Sequence, residues 1–233
     1  LLSGVGRLMY NYDNRYLLTT TFRADGSSKF FKNKWGFFPS VALAWSLGNE
    51  KFMQQQDIIQ DSKLRVSYGL VGSQAISPYE TLGLMKQVGY AYGGSTKYTG
   101  FWAGTSRATP ALTWEKTHQF NVGIDFTTLA HRLRFSIDYF NKTTKDGLLK
   151  KTLPQYDGGG TYWVNACEVV NRGVDFTIDA HILKQKDLNW NSSFTGTYLK
   201  NKVTSLDNIP FVQGYSPAIG LMGDVTRIVV GQP

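Results

Sequence analysis

Between Thr113 and Phe126 the chain changes character at every residue. Trp114, Phe120, Val122, Ile124 and Phe126 share one parity, and Thr113, Glu115, Thr117, Gln119, Asn121, Gly123 and Asp125 share the other. Side chains alternate faces along a strand, so this segment carries an apolar face and a polar one. It is also about twice the usual strand length. A strand that long with two such faces suits the wall of a large barrel in a bilayer, apolar toward lipid and polar toward a water-filled interior.

The same alternation recurs and predicts about eight strands. Four precede this one, over residues 1–12, 15–23, 35–47 and 63–71, and three follow it, over 133–140, 173–180 and 188–198. Pro39 falls inside the third and predicts a bulge or irregular pairing there. The links at Asp13-Asn14, 127–131 and 183–187 are short, whereas 24–34, 72–112 and 144–171 are long and rich in Gly, Tyr and Ser. One intermediate link, 49–62, carries Phe52, Met53, Ile58 and Ile59 and has room for a short helix. Short turns on one rim and long loops on the other describe an outer-membrane barrel, with periplasm on the short side.

Register follows from matching apolar faces. Across the 127–131 turn it sets Phe120 beside Tyr139, Val122 beside Ile137 and Ile124 beside Phe135, with Asp125 opposite Arg134 as a charge pair on the lumen face. In the first hairpin both apolar faces are even-numbered, so the turn requires a three-residue loop or a bulge. Aromatic residues at strand ends (Tyr10, Tyr12, Tyr16, Trp35, Trp114, Tyr139, Trp190 and Tyr198) read as interfacial girdles. Lys116 and His118 lie on the apolar parity. A charge at mid-bilayer costs roughly 2–4 kcal/mol, so residues 114–118 mark the exterior end of their strand.

Composition refines this without overturning it. Of 233 residues 42% are hydrophobic and 14% aromatic, and no apolar run approaches a membrane helix. The mean hydropathy of −0.26 looks soluble, but a barrel hides its membrane signal in alternation. Cys167 is the sole cysteine, so no internal disulfide forms. With no Met start and no signal peptide, the chain reads as an excerpt of something larger. The net charge of +8 is dispersed over rims and lumen, which argues against nucleic acid.

No enzyme constellation emerges. His118, His131 and His181 are scattered without metal-ligand spacing. Asp125, Asp138, Asp175 and Asp179 take the polar parity and read as lumen charges that pair with Arg134 or Arg132 and water, in preference to a glycosidase pair. Residues 158–160 are three glycines without a following Lys-Ser/Thr, a flexible loop and no phosphate cradle. No cofactor is implied. Candidate cargo contacts are loop aromatics among glycines: Tyr90, Tyr92, Tyr98 and Trp102 in one long loop, Tyr162 and Trp163 in another. Such rings stack on sugar faces, and Tyr also serves protein contacts.

Longer strings carry a resemblance. RYLLTTTFRADGSSKF, WGFFPSVALAW, LRVSYGLVGSQAISPYE, WEKTHQFNVGIDF, VNACEVVNRGVDFTI and RIVVGQP, in that order, resemble the SusC/RagA family of TonB-linked outer-membrane proteins. The chain departs from the family's usual residues at Cys167 (Gly), Ser73 (Asn) and Asp175 (Glu), and Cys167 bears on a tight backbone approach. The resemblance implies that residues 1–233 are part of an all-β, antiparallel transmembrane barrel of roughly 22 strands, from its C-terminal half, with the plug domain outside this chain. It implies TonB-dependent import of oligosaccharides or peptides across a bacterial outer membrane. It further implies a SusD-like surface lipoprotein as lid, a TonB complex acting through the plug, contact with outer-membrane lipids, and a transporter homodimer. The alternative on strands alone is a secreted β-sandwich, a glycan-binding or adhesin module with the apolar faces of two sheets packed together.

Overall fold

The computed structural model describes residues 1–53, 55, 58–84, 86–91, 97–102, 106–154, 156, 160–184, 188–207, 212–213 and 227–232, and for 86–91, 97–102, 184 and 212–213 it describes the backbone alone. The strands are β1 (Leu2–Tyr12), β2 (Tyr16–Gly26), β3 (Trp35–Ser46), β4 (Ile59–Ser73), β5 (Lys86–Ala91), β6 (Lys97–Trp102), β7 (Glu115–Thr128), β8 (Leu133–Thr152), β9 (Thr161–Lys184), β10 (Asn189–Ser205), β11 (Val212–Gln213) and β12 (Arg227–Ile228). Eight of them form one antiparallel sheet in the order β1-β2-β3-β4-β7-β8-β9-β10, and β5–β6 and β11–β12 are separate two-stranded pairs. The eight wall strands are those the alternation predicts.

One face of the sheet is apolar and uncovered. Phe22, Leu43, Phe194 and Tyr198 are all exposed on it, and among the described residues no second sheet packs against it. A sandwich buries this face between two sheets, and the exposure of these side chains argues against that alternative. The wall of a transmembrane barrel turns it to lipid. Rows of paired residues cross the sheet without changing face: Tyr12, Tyr16, Trp45, Leu64, Ile124, Ile137 and Phe176 are successive partners.

Four expectations need correction or completion. Pro39 causes no bulge: it pairs with Phe22 in an unbroken β2–β3 ladder, and the β3–β4 ladder simply begins one residue later at Ser40. A proline lacks the N–H that a second ladder needs, so it ends that pairing. The β7–β8 register is two residues away from the expected one. Val122 faces Tyr139, Ile124 faces Ile137, Asp125 faces Ser136 and Phe126 faces Phe135. Parity survives a shift of two, so matching apolar faces could not distinguish the registers. The stacked rings of Phe126 and Phe135, 4.7 Å apart, favour the observed one. The 49–62 link begins with a 3-10 turn at Leu47–Asn49; residues 54, 56 and 57 lie outside the described residues.

The expected loop over 144–171 is largely strand, because β8 runs for 20 residues and β9 for 24. About 9–11 residues cross a bilayer, so this hairpin projects well beyond it. Cys167 sits in the projecting part opposite Gly147. A Cβ at Gly147 would lie 2.8 Å from the Cys167 carbonyl oxygen. The tight approach there is thus met by the neighbour's glycine, with irregular pairing on either side of it.

The first hairpin is as expected. Tyr12 pairs with Tyr16 around a three-residue loop in which Asp13 and Asn14 have φ of 52° and 51°. Asn and Asp tolerate that left-handed region better than other side chains. Beside this turn Glu50 gathers the rim. It accepts from the Trp45 indole at 3.1 Å and the Tyr16 hydroxyl at 2.9 Å, with Arg15 at 3.5 Å. Donation by Trp45, then by Tyr16, holds its carboxyl below the usual range. The stabilisation is therefore complete above the ordinary glutamate pKa and fades as pH falls through the lowered one. Acid titration of the intact protein, followed by Trp45 fluorescence, should show this loss, and Glu50→Gln should remove it.

Candidate functional site

The polar face is organised around Arg65. This side chain crosses β7 to engage carboxylates on two strands: its Nε donates to Asp125 at 2.7 Å, and its Nη2 to Asp125 at 3.0 Å and Asp138 at 3.0 Å. Ser136 donates to Asp125 at 2.7 Å and completes the group. The crossing passes over Gly123, where a Cβ would lie 2.0 Å from the Asp138 carboxylate. Glycine at 123 is thus what lets β4 and β8 share an ion pair.

Asp125 does not face Arg134. Arg134 stands opposite Thr127 on one side and Asp179 on the other, and it shares a recess near this rim with Asp125 as a diagonal neighbour. Nothing local to β7 and β8 announced Arg65, because β4 reaches β7 only across the 74–114 connection. Arg65→Leu should destabilise the intact protein by about 1–3 kcal/mol, since two carboxylates would remain side by side without a cation. Partial exposure keeps the value at the low end. A lower urea midpoint in detergent checks it, and a fully additive Asp138→Asn effect would argue against coupling.

Toward the long-loop end the polar face becomes a groove of about 500 Å³, whose lining includes Arg7, Thr21, Arg23, Ser40, Ser67 and Asn121. Arg23 is held by Asp25 at 2.7 Å. Above the groove the wall is capped by an apolar cluster of Phe30, Phe38, Ile76, Leu112 and Trp114, with Trp163 and Leu148 packed against it. Trp114 is 3% exposed. It is therefore no girdle residue: one position before β7 begins, it turns inward onto Phe38 and Phe30, with ring centroids 5.6 and 5.2 Å away. Tyr10, Tyr12, Tyr16, Trp35, Tyr139, Trp190 and Tyr198 are exposed, as girdle residues must be.

This cluster ties the base of the 74–114 connection to the wall. Asn165 on β9 accepts from the Thr113 N–H at 2.8 Å and donates to its carbonyl at 3.0 Å. Thr81 donates to the Lys29 carbonyl at 2.7 Å, and the Arg107 N–H to the Thr161 carbonyl at 3.1 Å. The β5–β6 hairpin rises from this clamped stem.

The sequence-derived cargo residues fall on two places. Tyr90 faces Tyr98, and Trp102 faces Lys86, in the β5–β6 register; Tyr92 lies outside the described residues. On β9, Tyr162 pairs with Lys151 and Trp163 with Lys150. The Trp163 indole donates to Glu80, and the Lys150 ammonium lies 5.7 Å from its ring centre. Lys150 also pairs with Glu80 at 3.3 Å. Trp163 thus fastens the β8–β9 projection to the loop base, a role that Glu80, unremarkable in sequence, makes possible.

A single antiparallel sheet with a bare apolar face, a hydrogen-bonded polar face, short turns at one end and clamped loops at the other defines the wall of a transmembrane β-barrel. Residues 4–221 match the family model of the TonB-dependent receptor-like β-barrel, and the chain belongs to that family. It is 38% identical over 207 residues to TonB-dependent receptor P3 of Formosa agariphila, covering 88% of this chain and 20% of that protein. It is 36% identical over 217 residues to TonB-dependent receptor SusC of Bacteroides thetaiotaomicron, covering 88% and 21%. Among solved structures it resembles the RagAB peptide transporter, with a TM-score of 0.84 and 27% identity over 99% of this chain and 24% of that one. The chain thus spans about a fifth of the length of these curated relatives.

Proposed function

We propose that this chain is part of the wall of an outer-membrane, TonB-dependent importer of oligosaccharides or peptides. The family match and the similarity to SusC and to a peptide transporter support the reading. The observation that carries it is the two-faced sheet, apolar outside and centred inside on the Arg65 network. Among the described residues β1 is unpaired on one edge, and the outer edge of β10 is bonded only at Val203, by Gly231 and Gln232. Open edges are untenable in lipid, so further strands close the barrel there. A plug of the kind the family resemblance implies fills it. Energy comes from a TonB complex acting on that plug. A SusD-like lipoprotein covers the exterior mouth, and two transporters associate as a homodimer.

Cargo passes the clamped loops, where Tyr90, Tyr92, Tyr98, Trp102 and Tyr162 are the candidate contacts. Trp163, being engaged by Glu80 and Lys150, holds this site in place. Uptake of labelled oligosaccharides and peptides by cells carrying the intact protein tests the reading. Uptake of one class should require TonB and fall at least about tenfold when residues 86–102 are replaced by a short glycine linker. Uptake that is indifferent to TonB would overturn it.

A further inference from the structure

At the long-loop end, the apolar face of four neighbouring strands turns cationic. On β7 the series Phe126, Ile124, Val122 and Phe120 passes through His118 to Lys116. On β8 the residues Phe135, Ile137 and Tyr139 give way through Asn141 and Thr143 to Lys145. On β9 the series Ile178, Phe176 and Val174 ends on Arg172, and on β10 Phe194 and Tyr198 are followed by Lys200 and Lys202.

Register gathers these cations. Lys116 pairs with Lys145, and Arg172 with Lys200. Arg172 stands opposite Asn141, four residues from Lys145, and Lys202 opposite Val170 lies one face position nearer. With strands about 4.8 Å apart and alternate residues about 7 Å along a strand, the five charges form one patch about 14 Å deep. Lys145, Arg172, Lys200 and Lys202 are exposed and Lys116 half-buried. Among the described residues none of the five has a carboxylate within ion-pair reach. The nearest acids along these strands are Asp146 and Glu168, which leaves the patch clearly positive.

Two like-charged pairs directly opposite each other repel, and Glu168, beside Lys145 on the same face, offsets only part of that. Nor is the charge a general feature of this rim. At the same end the apolar-face positions are Gly4 and Gly6 on β1, Phe22 and Ala24 on β2, and Trp35 and Phe37 on β3.

We infer that this sector binds a membrane lipid whose headgroup carries phosphates. The inference rests on the reading of the chain as a membrane wall. The acyl chains lie over Tyr139, Val174 and Tyr198, and the phosphates sit among the five cations. Arg172 suits bidentate phosphate contact and the lysines act as point charges. Apolar contact below and charge above select a lipid over a free anion.

The test uses the intact protein, delipidated in an uncharged detergent and read by native mass spectrometry. Three probes are compared: a bisphosphorylated diglucosamine lipid, the same lipid without its phosphates, and inorganic phosphate. The bisphosphorylated lipid should bind tightest, and added salt should weaken it. Changing Lys145, Arg172, Lys200 and Lys202 together to Gln should cut its affinity at least about tenfold. The milder pair Arg172→Gln and Lys200→Gln should give a smaller loss. Lys142→Gln, on the polar face of β8, should change binding less than about twofold. Equal binding of the dephosphorylated lipid, binding of phosphate alone at equal strength, or unchanged binding by both charge variants would each overturn the inference. A protein that stays soluble without detergent would instead overturn the membrane reading beneath it.

Discussion

Trp114→Ala is expected to cost about 3–5 kcal/mol, the range for truncating a large buried aromatic. Trp114 fills the centre of the only sizeable buried apolar cluster among the described residues, between Phe30 on the β2–β3 connection and Phe38 on β3. A Cβ at Gly72 would lie 1.9 Å from the Phe38 ring, and one at Gly36 2.4 Å from it. Phe38 therefore lies flat over two glycines, without slack to collapse into the space an alanine would leave. Loss of the cluster also frees the loop base that Asn165 and Thr81 fasten. Limited proteolysis of the intact variant should cut within 74–114 at protease levels that spare the parent, while the barrel stays intact. A variant as resistant as the parent would mean that the hydrogen bonds alone hold the loop.

The second large effect concerns the opposite face. Ile137→Arg places a charge near the middle of the apolar band, between Phe135 and Tyr139 and opposite Ile124 and Phe176. The cost in a bilayer is about 2–4 kcal/mol, falling toward zero near the interfaces. Asn141→Arg, two positions higher on the same face, should therefore cost far less. Reversible unfolding of the intact protein in vesicles measures the pair. Equal costs at the two heights would contradict a depth-dependent lipid environment.

These two faces differ in how legible they were. Alternation along single strands gave the eight wall strands, the faces of Asp125 and Phe120, and the odd loop after Tyr12, because each is a local parity. Local parity cannot tell one register from another two residues away, so Asp125 was matched with Arg134 in place of Ser136. Arg65 was invisible for a related reason: its partners lie on strands that only the closed sheet brings together. Trp114 misled because its parity continues β7, although the chain has not yet entered the strand and turns inward there. The β8–β9 projection read as loop because its outer half follows no apolar–polar alternation once it leaves the bilayer. Trp163 stands out in the sequence by its ring, whereas Glu80 and Lys150, which decide what the ring does, carry no local signal.

The central claim is that even-numbered positions of β7 face lipid and odd-numbered ones face a polar interior. Single cysteines at 119–126, in a Cys167→Ser background of the intact protein in vesicles, can carry nitroxide labels whose contact with oxygen and with a water-soluble nickel chelate is measured. Labels at 120, 122, 124 and 126 should meet oxygen and little nickel, and those at 119, 121, 123 and 125 the reverse or neither, with a period of two. Equal nickel contact at all eight positions, or a period other than two, would contradict the account.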